Sequence, residues 1–349
     1  LNCTDDGQAR AITLLFADRI RYVHQAAQWR VYDRRWHDDL DGEVERLAVL
    51  TAKARQVAAG KAEGIGKDRR ESLFKFGLQS EQQSKITAAL AALQRQPEIA
   101  TVPGQWDVDP WLLGLHEGAI DLHTGERLPA DPTRLISKAV GPEYDPSATC
   151  PRFEQFLMEI CGEDESLVGF FQRAIGYALT GNTSEQCFFL LHGRGKNGKG
   201  TLISIMSALF GEYALNADFN TFIEHKYQSA GQARGDIARL AGARFVSAQE
   251  PNESVRMDEG TIKTLTAGND IITARELHRS EIQFQPQFKI WLSFNHRPTI
   301  KGTDDGIWRR IRLIPFGQQF DPAQEPTLED TLRSELPGIL NAALRWCAD

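Results

Sequence analysis

The sequence predicts an α/β protein in which a helical N-terminal region precedes a core with a mainly parallel central sheet flanked by helices. Three observations carry this prediction. Apolar residues repeat at helical spacing through much of residues 1–96 and again from residue 151. An apolar strand pattern, a glycine-rich loop and a helical pattern follow one another at residues 187–211. Strand and helix patterns then alternate up to residue 316, as they do in parallel sheets.

The composition limits the classes of function. The chain has 349 residues, enough for one large domain or two to three ordinary ones, and 41% of them are hydrophobic. Lysine and arginine number 40 and aspartate and glutamate 47, so the net charge is −7. This balance argues against a protein that coats nucleic acid by bulk charge, but it leaves room for a local basic channel.

Cysteine usage and hydropathy indicate the compartment. The five cysteines lie far apart and form no C-x-x-C pair, so we predict neither a zinc site nor a secreted disulfide framework. No apolar run approaches the roughly 20 residues that span a bilayer, and no signal peptide is visible. We expect a cytoplasmic protein. The chain starts at Leu1 and stops just after a helical pattern, and we expect it to be part of a longer polypeptide.

The amino-terminal residues 1–96 are predicted to be mostly helical. Within them, the segment 9–28 places five apolar residues on one helical face: Ile12, Leu15, Phe16, Ile20 and Val23. Aromatic residues on both sides of a polar turn at 29–39 predict a short hairpin. Residues 43–96 return to a helical pattern.

A connector and a helical collar are predicted next. Residues 97–150 are rich in proline and glycine but contain large apolar residues that need burial, so they predict short strands and loops. Helical spacing resumes at Phe153, Phe156, Leu157 and Ile160. A second helix runs to about Thr180, and Gly181 is placed to end it. The predicted segments are 1–96, 97–150, the collar 151–182, the core 183–320 and a carboxyl-terminal helical segment 321–349.

The stretch from Gly193 to Lys199 has the G-x-x-x-x-G-K spacing of a phosphate-binding loop (P-loop, Walker A). It lies between the apolar pattern 187–191 and a helical pattern that Gly211 ends. Glycines let backbone N–H groups converge on an anion, the helix N-terminus adds its dipole, and Lys199 brings a positive charge to the outer phosphates. The candidate nucleotide-binding residues are Gly193, Gly195, Asn197, Gly198, Lys199, Gly200 and Thr201.

One position departs from this motif. Gly200 stands where a serine or threonine usually holds Mg²⁺, and Thr201 is the nearest hydroxyl. Either Thr201 serves the metal or the phosphates directly, or Mg²⁺ is held mainly through water. The candidate metal contacts are Thr201 and Glu250, the acidic residue that follows a later strand pattern.

Polar residues follow three other strand patterns. Glu250 ends "ARFVSAQEP", where a carboxylate can polarise an attacking water and bind Mg²⁺ through its water shell. Asn295 ends the strand pattern in "FKIWLSFNHRP", where an amide can orient that water and sense the γ-phosphate. Arg309 and Arg310 precede an apolar run in "DDGIWRRIRLIPF". An arginine that reaches a neighbouring subunit's phosphates would raise the rate by roughly 10³–10⁵.

The order of these motifs resembles that of superfamily 3 helicases, and most closely their phage, plasmid and poxvirus primase–helicase branch. The shared motifs are the glycine loop, Glu250, "KTLTAGNDIITAREL" at 263–277, Asn295 and "GIWRRIRLIPF" at 306–316. The resemblance implies an AAA+-like P-loop ATPase that assembles as a hexameric ring with ATP between its subunits. It assigns phosphate binding to Lys199, the general base to Glu250 and the sensor position to Asn295.

The resemblance also implies partners. Arg310 matches the trans-acting arginine finger best, with Arg309 as the fallback. Members of the family thread single-stranded DNA through the ring, unwind duplex with 3′-to-5′ polarity, and often carry an upstream primase domain. The expected function is therefore a replicative DNA helicase of a phage, plasmid or related mobile genetic element.

A predicted hairpin supplies the DNA contact. The patterns "DIITAREL" and "EIQFQPQF" flank "HRS" and could pair, which would place His278 and Arg279 at the tip. In the family such a hairpin grips the DNA backbone inside the ring, and Arg275 and Lys263 are weaker candidates. One basic tip per subunit would form a positive collar despite the net charge of −7, and phosphate contacts of this kind carry no base sequence.

Two other functions remain open from the sequence. A P-loop kinase would share the loop, but no lid-like arginine cluster or acceptor pocket is visible, and stimulation by a small acceptor rather than by single-stranded DNA would identify it. The second alternative is an ATP-binding ring that binds DNA or an origin but has lost catalysis. Gly200 is the feature that favours this alternative.

Overall fold

The chain divides into two compact units in a computed structural model. The model describes residues 2–224, 234–250, 256–275, 281–295, 305–321, 323 and 325–348. The amino-terminal unit comprises Leu1–Trp106 and Ala130–Ser137, and the carboxyl-terminal unit comprises Asp107–Pro129 and Lys138–Asp349. In the part of the chain so described, no helix is both long and apolar enough to cross a membrane.

The amino-terminal unit packs helices on a small sheet. Its elements are α1 (Asp5–Phe16), β1 (Ile20–Val23), β2 (Gln28–Asp33), β3 (Arg35–Asp38), α2 (Glu43–Lys61), α3 (Lys67–Gln79), α4 (Gln83–Leu93) and β4 (Ala100–Thr101). The strand order is β3-β2-β1-β4, and only the β1–β4 pair is parallel. Ile12, Val44 and Leu93 lie in its core. The helices predicted for residues 43–96 and the hairpin predicted at 29–39 are confirmed.

The single helix predicted over residues 9–28 is wrong in its second half. Helix α1 ends at Phe16, and Ile20 and Val23 belong to β1, which pairs with β2. Leu15, which was predicted to face the core, is 53% exposed. Residues three apart lie on one face of a helix but on opposite faces of a strand, and Ile20 and Val23 are buried in two different clusters. Pairing with β2 and the branched and aromatic side chains favour the strand.

The carboxyl-terminal unit is a mixed α/β structure. It begins with β5 (Leu112–Gly114), β6 (Ala119–Asp121), β7 (Arg127–Leu128), α5 (Pro151–Ile160) and α6 (Glu165–Leu179). It continues with β8 (Phe188–His192), α7 (Lys199–Phe210), β9 (Ala214–Asn216), α8 (Gly235–Ala238), β10 (Phe245–Gln249), α9 (Glu259–Leu265), β11 (Ile272–Arg275) and β12 (Glu281–Phe284). It ends with β13 (Lys289–Phe294), α10 (Asp305–Trp308), β14 (Ile311–Pro315), α11 (Leu328–Ser334) and α12 (Leu336–Ala348).

The predicted parallel sheet is confirmed. Its order is β14-β8-β13-β10-β9, and every neighbouring pair is parallel. Phe189, Phe245 and Trp291 are buried together with apolar residues of α5, α6, α7 and α12. Strands covered on both faces need continuous apolar runs, which explains patterns such as "FFLL". Because all five strands run the same way, their carboxyl ends lie along one edge of the sheet.

Two buried cations hold the opposite edge of the sheet to helix α6. Arg244, directly before β10, donates to the carbonyl oxygens of Leu179 (2.5 Å) and Leu112 (2.6 Å). Lys289, the first residue of β13, donates to the carbonyl oxygen of Thr180 at 2.6 Å. Burial lowers the pKa of both side chains. The bonds to Leu179 and Thr180 satisfy backbone oxygens at the end of α6, where a helix leaves its last carbonyls without partners.

Candidate functional site

The loop between β8 and α7 is fixed by close backbone contacts. The N–H of Gly193 donates to the carbonyl oxygen of Phe294 at 3.2 Å. A Cβ on Gly193 would lie 2.3 Å from the carbonyl oxygen of Phe316, so only glycine fits there. Lys196 and Gly198 have positive φ angles of 60° and 84°. The chain then enters α7, whose first N–H groups have no acceptor within the helix.

Lys199 is the first residue of α7 and is 4% exposed. Its ammonium donates to the carbonyl oxygen of Gly193, to Asn197 Oδ1 at 3.2 Å and to Asn295 Oδ1 at 3.5 Å. All three acceptors are neutral, and burial lowers the pKa of Lys199. An anion placed beside this cation would offset its desolvation, which is the electrostatic condition for a phosphate site.

Glu250 and Asn295 follow the neighbouring strands β10 and β13 at the same edge of the sheet. The backbone N–H of Asn295 donates to Glu250 Oε2 at 3.2 Å, and the N–H of Glu250 donates to the carbonyl oxygen of Ser293 at 3.0 Å. Glu250 is 8% exposed. The structure therefore brings Lys199, Asn295 and Glu250 into one connected polar group. Their chemical roles stay predictions.

Two glycines give a matched test of the loop geometry. A Cβ on Gly198 would lie 2.6 Å from Ile160 Cγ2, at a φ of +84°, whereas a Cβ on Gly200 would meet no atom of the described residues within 4 Å. We expect Gly198→Ala to lower the free energy of unfolding by about 1–3 kcal/mol. Gly200→Ala should change it by less than about 1 kcal/mol. Denaturant unfolding measures both, and equal stabilities would contradict this reading of the loop.

The residues beside the loop do not fit direct coordination of Mg²⁺. A cavity of about 500 Å³ opens next to Gly200, with a polar lining that includes Ser204, Ser207, Ser247, Gln249, Ser293 and Arg333. None of the lining residues within the described ranges is a carboxylate, although carboxylates are the usual protein ligands of Mg²⁺. Nor do the described residues contain a group of three or more His, Cys, Asp or Glu side chains that could hold a metal.

Thr201 is a poor replacement for the missing hydroxyl. Successive helix residues are rotated by about 100° around the axis, so Thr201 points away from the direction that a side chain at position 200 would take. Glu250 remains placed to act on a nucleotide-bound ion through water. Both residues stay predicted metal contacts, and the geometry favours Glu250.

The two candidate finger arginines differ in burial. Arg310 is 8% exposed; its Nε donates to Thr266 Oγ1 at 3.1 Å, and its Nη1 donates to the carbonyl oxygen of Gly306. Arg309 is exposed, and its Nη2 donates to Gln186 Oε1 at 2.9 Å. A residue that reaches another copy must lie at the surface. The geometry therefore favours Arg309, the fallback, over Arg310, the better motif match.

Both arginines lie far from the loop of their own chain. Ile311 pairs with Phe188, so the arginines precede β14 at the amino-terminal edge of the sheet. The loop follows the other end of β8, and five strand residues span about 16 Å. An arginine at this edge could serve a nucleotide only in a different copy of the chain.

The predicted hairpin strands are confirmed. Strands β11 and β12 pair antiparallel, with Arg275 opposite Glu281. Arg275 is exposed, and Lys263 is half-buried in α9. His278 and Arg279, the predicted tip, lie outside the described residues. DNA binding by these four basic residues stays a prediction.

The sequence did not indicate Arg333 as a site residue. Arg333 lies on α11, lines the cavity beside Gly200, and its Nη2 donates to Ser204 Oγ at 2.8 Å and Glu329 Oε1 at 2.9 Å. In sequence, Glu329 and Arg333 form an ordinary pair four residues apart, typical of a solvated helix face. Only the packing of α11 against α7 shows that the guanidinium is near the loop.

Comparison with known proteins identifies two regions. Residues 9–162 match the family described as "D5 N terminal like", and residues 191–310 match a family of unknown function (DUF5906). The first of these matches begins in the amino-terminal unit and ends just after α5.

Viral proteins are among the curated relatives. The chain is 33% identical over 225 residues to a "Putative helicase" of Acanthamoeba polyphaga mimivirus, covering 63% of this chain and 23% of the relative. It is 32% identical over 161 residues to "Putative helicase 022R" of Frog virus 3, covering 45% of this chain and 16% of the relative. It is 27% identical over 150 residues to a "Putative primase" of African swine fever virus, covering 42% of this chain and 15% of the relative. The chain is therefore homologous to viral proteins named as helicases and primases, and spans less than a quarter of their length.

One solved structure extends the likeness to the whole fold. The apo structure of the NrS-1 C terminal region matches with a TM-score of 0.56 at 12% identity, covering 98% of this chain and 71% of that one. At this identity the likeness shows the fold alone.

Proposed function

We propose that this chain is the ATP-hydrolysing part of a replicative DNA helicase, an AAA+-like P-loop motor of superfamily 3 from a virus or other mobile element. One observation carries the proposal: Lys199, Asn295 and Glu250 form a connected group where three parallel strands end. The homology to viral proteins named as helicases and primases supports the assignment to replication.

The proposed chemistry is hydrolysis of the γ-phosphoryl group. Phosphate oxygens bind the amino-terminal N–H groups of α7 and the Lys199 ammonium. Glu250 accepts a proton from a water as that water attacks the γ-phosphorus, and the bond to the ADP oxygen breaks to give ADP and phosphate. Asn295 orients the water. Mg²⁺ carried by the nucleotide would offset phosphate charge, without direct bonds to the cavity side chains.

Assembly as a ring, which we propose to be a hexamer, would bring Arg309 to the nucleotide of a neighbouring subunit. The arginine lies at the edge of the sheet away from its own loop, which supports donation between copies. Single-stranded DNA would occupy the ring's channel at the β11–β12 hairpin. A primase domain elsewhere in a longer polypeptide would fit the small fraction of the relatives that this chain covers.

Mixed assemblies test the proposal. Arg309→Ala and Lys199→Ala should each lower ATP turnover by about 10³-fold or more, because every interface then lacks one essential charge. In an equal mixture, half the loops and half the arginines are intact, so about a quarter of the interfaces are complete and turnover reappears. Failure of the mixture to regain activity would contradict shared sites.

The same mixture made with Arg310→Ala is the matched control. Arg310 is buried against Thr266, so its replacement should lower stability and should not be rescued by a partner that supplies an exposed arginine. Rescue of Arg310→Ala together with no rescue of Arg309→Ala would reverse the assignment of the finger.

A catalytically reduced ATP-binding ring is the second candidate. The absent side chain at Gly200 and the cavity without carboxylates favour it. Mg²⁺-dependent turnover by the wild-type protein would exclude it, and tight ATP binding without turnover would support it.

A further inference from the structure

The cavity beside the phosphate loop presents a cation where a metal ligand would be expected. Gly200 brings no hydroxyl to it, and Gln249, the last residue of β10, brings a neutral amide. Ser247 and Ser293 are buried hydroxyl residues, and Arg333 is the charged residue among the lining residues that the structure describes. An opening of about 500 Å³ is large enough for phosphate oxygens and their waters.

Arg333 is within reach of the loop. Its Nη2 lies 2.8 Å from Ser204 Oγ. Ser204 follows Gly200 by four residues on α7, about 6 Å along the helix axis. The amino-terminal N–H groups of α7, which have no acceptor within the helix, therefore lie about one helical turn from the guanidinium. A long, flexible arginine side chain spans such a distance by changing rotamers.

The contacts that hold Arg333 in the structure are weak. Its side chain is 45% exposed and that of its partner Glu329 is 48% exposed, with 2.9 Å between Nη2 and Oε1. Exposed pairs of this kind contribute little to stability. The guanidinium can therefore leave Glu329 and bind another anion at a small cost in free energy. Glu329 keeps a second partner, because Ser204 Oγ donates to it at 2.6 Å. The hydrogen bond from Ser204, followed by that from Arg333, lowers the pKa of Glu329.

We propose that Arg333 moves from Glu329 to the phosphates of the bound nucleotide across this cavity, and supplies the positive charge that a directly coordinated metal would supply. The inference rests on the proposed nucleotide site. Guanidinium groups bind phosphate through two parallel hydrogen bonds. This suits a cavity whose described lining supplies serine hydroxyls and Arg333. Helix α11 thereby becomes part of the nucleotide site.

Two variants test this role: one removes the guanidinium, and the other removes the carboxylate that competes for it. We measure the affinity of the chain for a fluorescent, non-hydrolysable ATP analogue, once with Mg²⁺ and once with EDTA. Arg333→Gln should weaken binding about 10- to 100-fold in both buffers, because it removes charge-assisted hydrogen bonds to phosphate. Glu329→Gln should tighten binding about two- to tenfold, because it releases the guanidinium from a competing anion. Both side chains are about half exposed, so thermal unfolding should confirm that the two variants fold.

Arg345→Gln is the matched control. Arg345 lies on α12, is 64% exposed, and is 3.8 Å from Glu154. It should bind the analogue within about twofold of wild type, because it does not line the cavity.

The results separate the two proposals. If Arg333→Gln binds like wild type, or if both Arg333→Gln and Glu329→Gln weaken binding alike, Arg333 is a structural residue and the inference is overturned. The proposed nucleotide site is still supported in that case if wild type binds the analogue and Lys199→Ala does not. If wild type itself does not bind the analogue, both the proposed function and the inference are overturned.

Discussion

Lys199→Ala is expected to bind ATP at least about 100-fold more weakly than wild type and to lose turnover. Lys199 is 4% exposed, and among the described residues its ammonium has only neutral oxygens as acceptors, at Gly193, Asn197 and Asn295. Phosphate would be its first opposite charge, and charge-assisted hydrogen bonds to a desolvated partner contribute about 1.5–3 kcal/mol each. Isothermal titration with an ATP analogue measures the loss.

The same variant should not be destabilised in the absence of nucleotide. A buried cation without a counter-ion is costly to desolvate, so its removal should leave the free energy of unfolding within about 1 kcal/mol of wild type. Lys85→Ala, which breaks an exposed 3.5 Å pair with Asp5, is the control for loss of one charge. Unchanged ATP affinity in Lys199→Ala would contradict the assignment of the loop.

Glu250→Gln is expected to bind ATP with nearly unchanged affinity and to hydrolyse it about 10²–10⁴-fold more slowly, the range that general-base catalysis contributes. The glutamine amide oxygen can still accept the hydrogen bond from the N–H of Asn295, so the local geometry is retained. The amide cannot take a proton from water. Single-turnover kinetics separates the chemical step from binding.

The control for Glu250→Gln is Glu117→Gln. Glu117 is 55% exposed and lies 3.7 Å from Arg127, so its loss should leave turnover unchanged. Turnover near the wild-type rate in Glu250→Gln would remove this residue as the base, and weakened ATP binding would assign it to the metal or the nucleotide instead.

The sequence predicted the features that depend on local pattern. The strand, loop and helix at 187–211 are encoded by a continuous apolar run, closely spaced glycines and helical spacing, and each appears where predicted. Glu250 and Asn295 were each predicted at the end of a strand pattern, and the two strands end at the same edge of the parallel sheet. Neither inference required knowledge of distant contacts.

Features that depend on packing could not be predicted. Arg309 and Arg310 are adjacent in sequence, and only the contacts with Gln186 and Thr266 show which one is exposed. Arg333 is close to the loop only because α11 packs against α7. The error at Ile20–Val23 has the same origin, since pairing with β2 overrides the helical spacing of its apolar residues.

The most direct measurement is an experimental structure of the chain with a non-hydrolysable ATP analogue. We expect the phosphates at the amino terminus of α7, with Lys199 Nζ bonded to them and the terminal phosphate facing Glu250 and Asn295. An analogue bound elsewhere at saturating concentration, with Lys199 still bonded to Gly193 and Asn197, would contradict the nucleotide site and the motor function proposed from it.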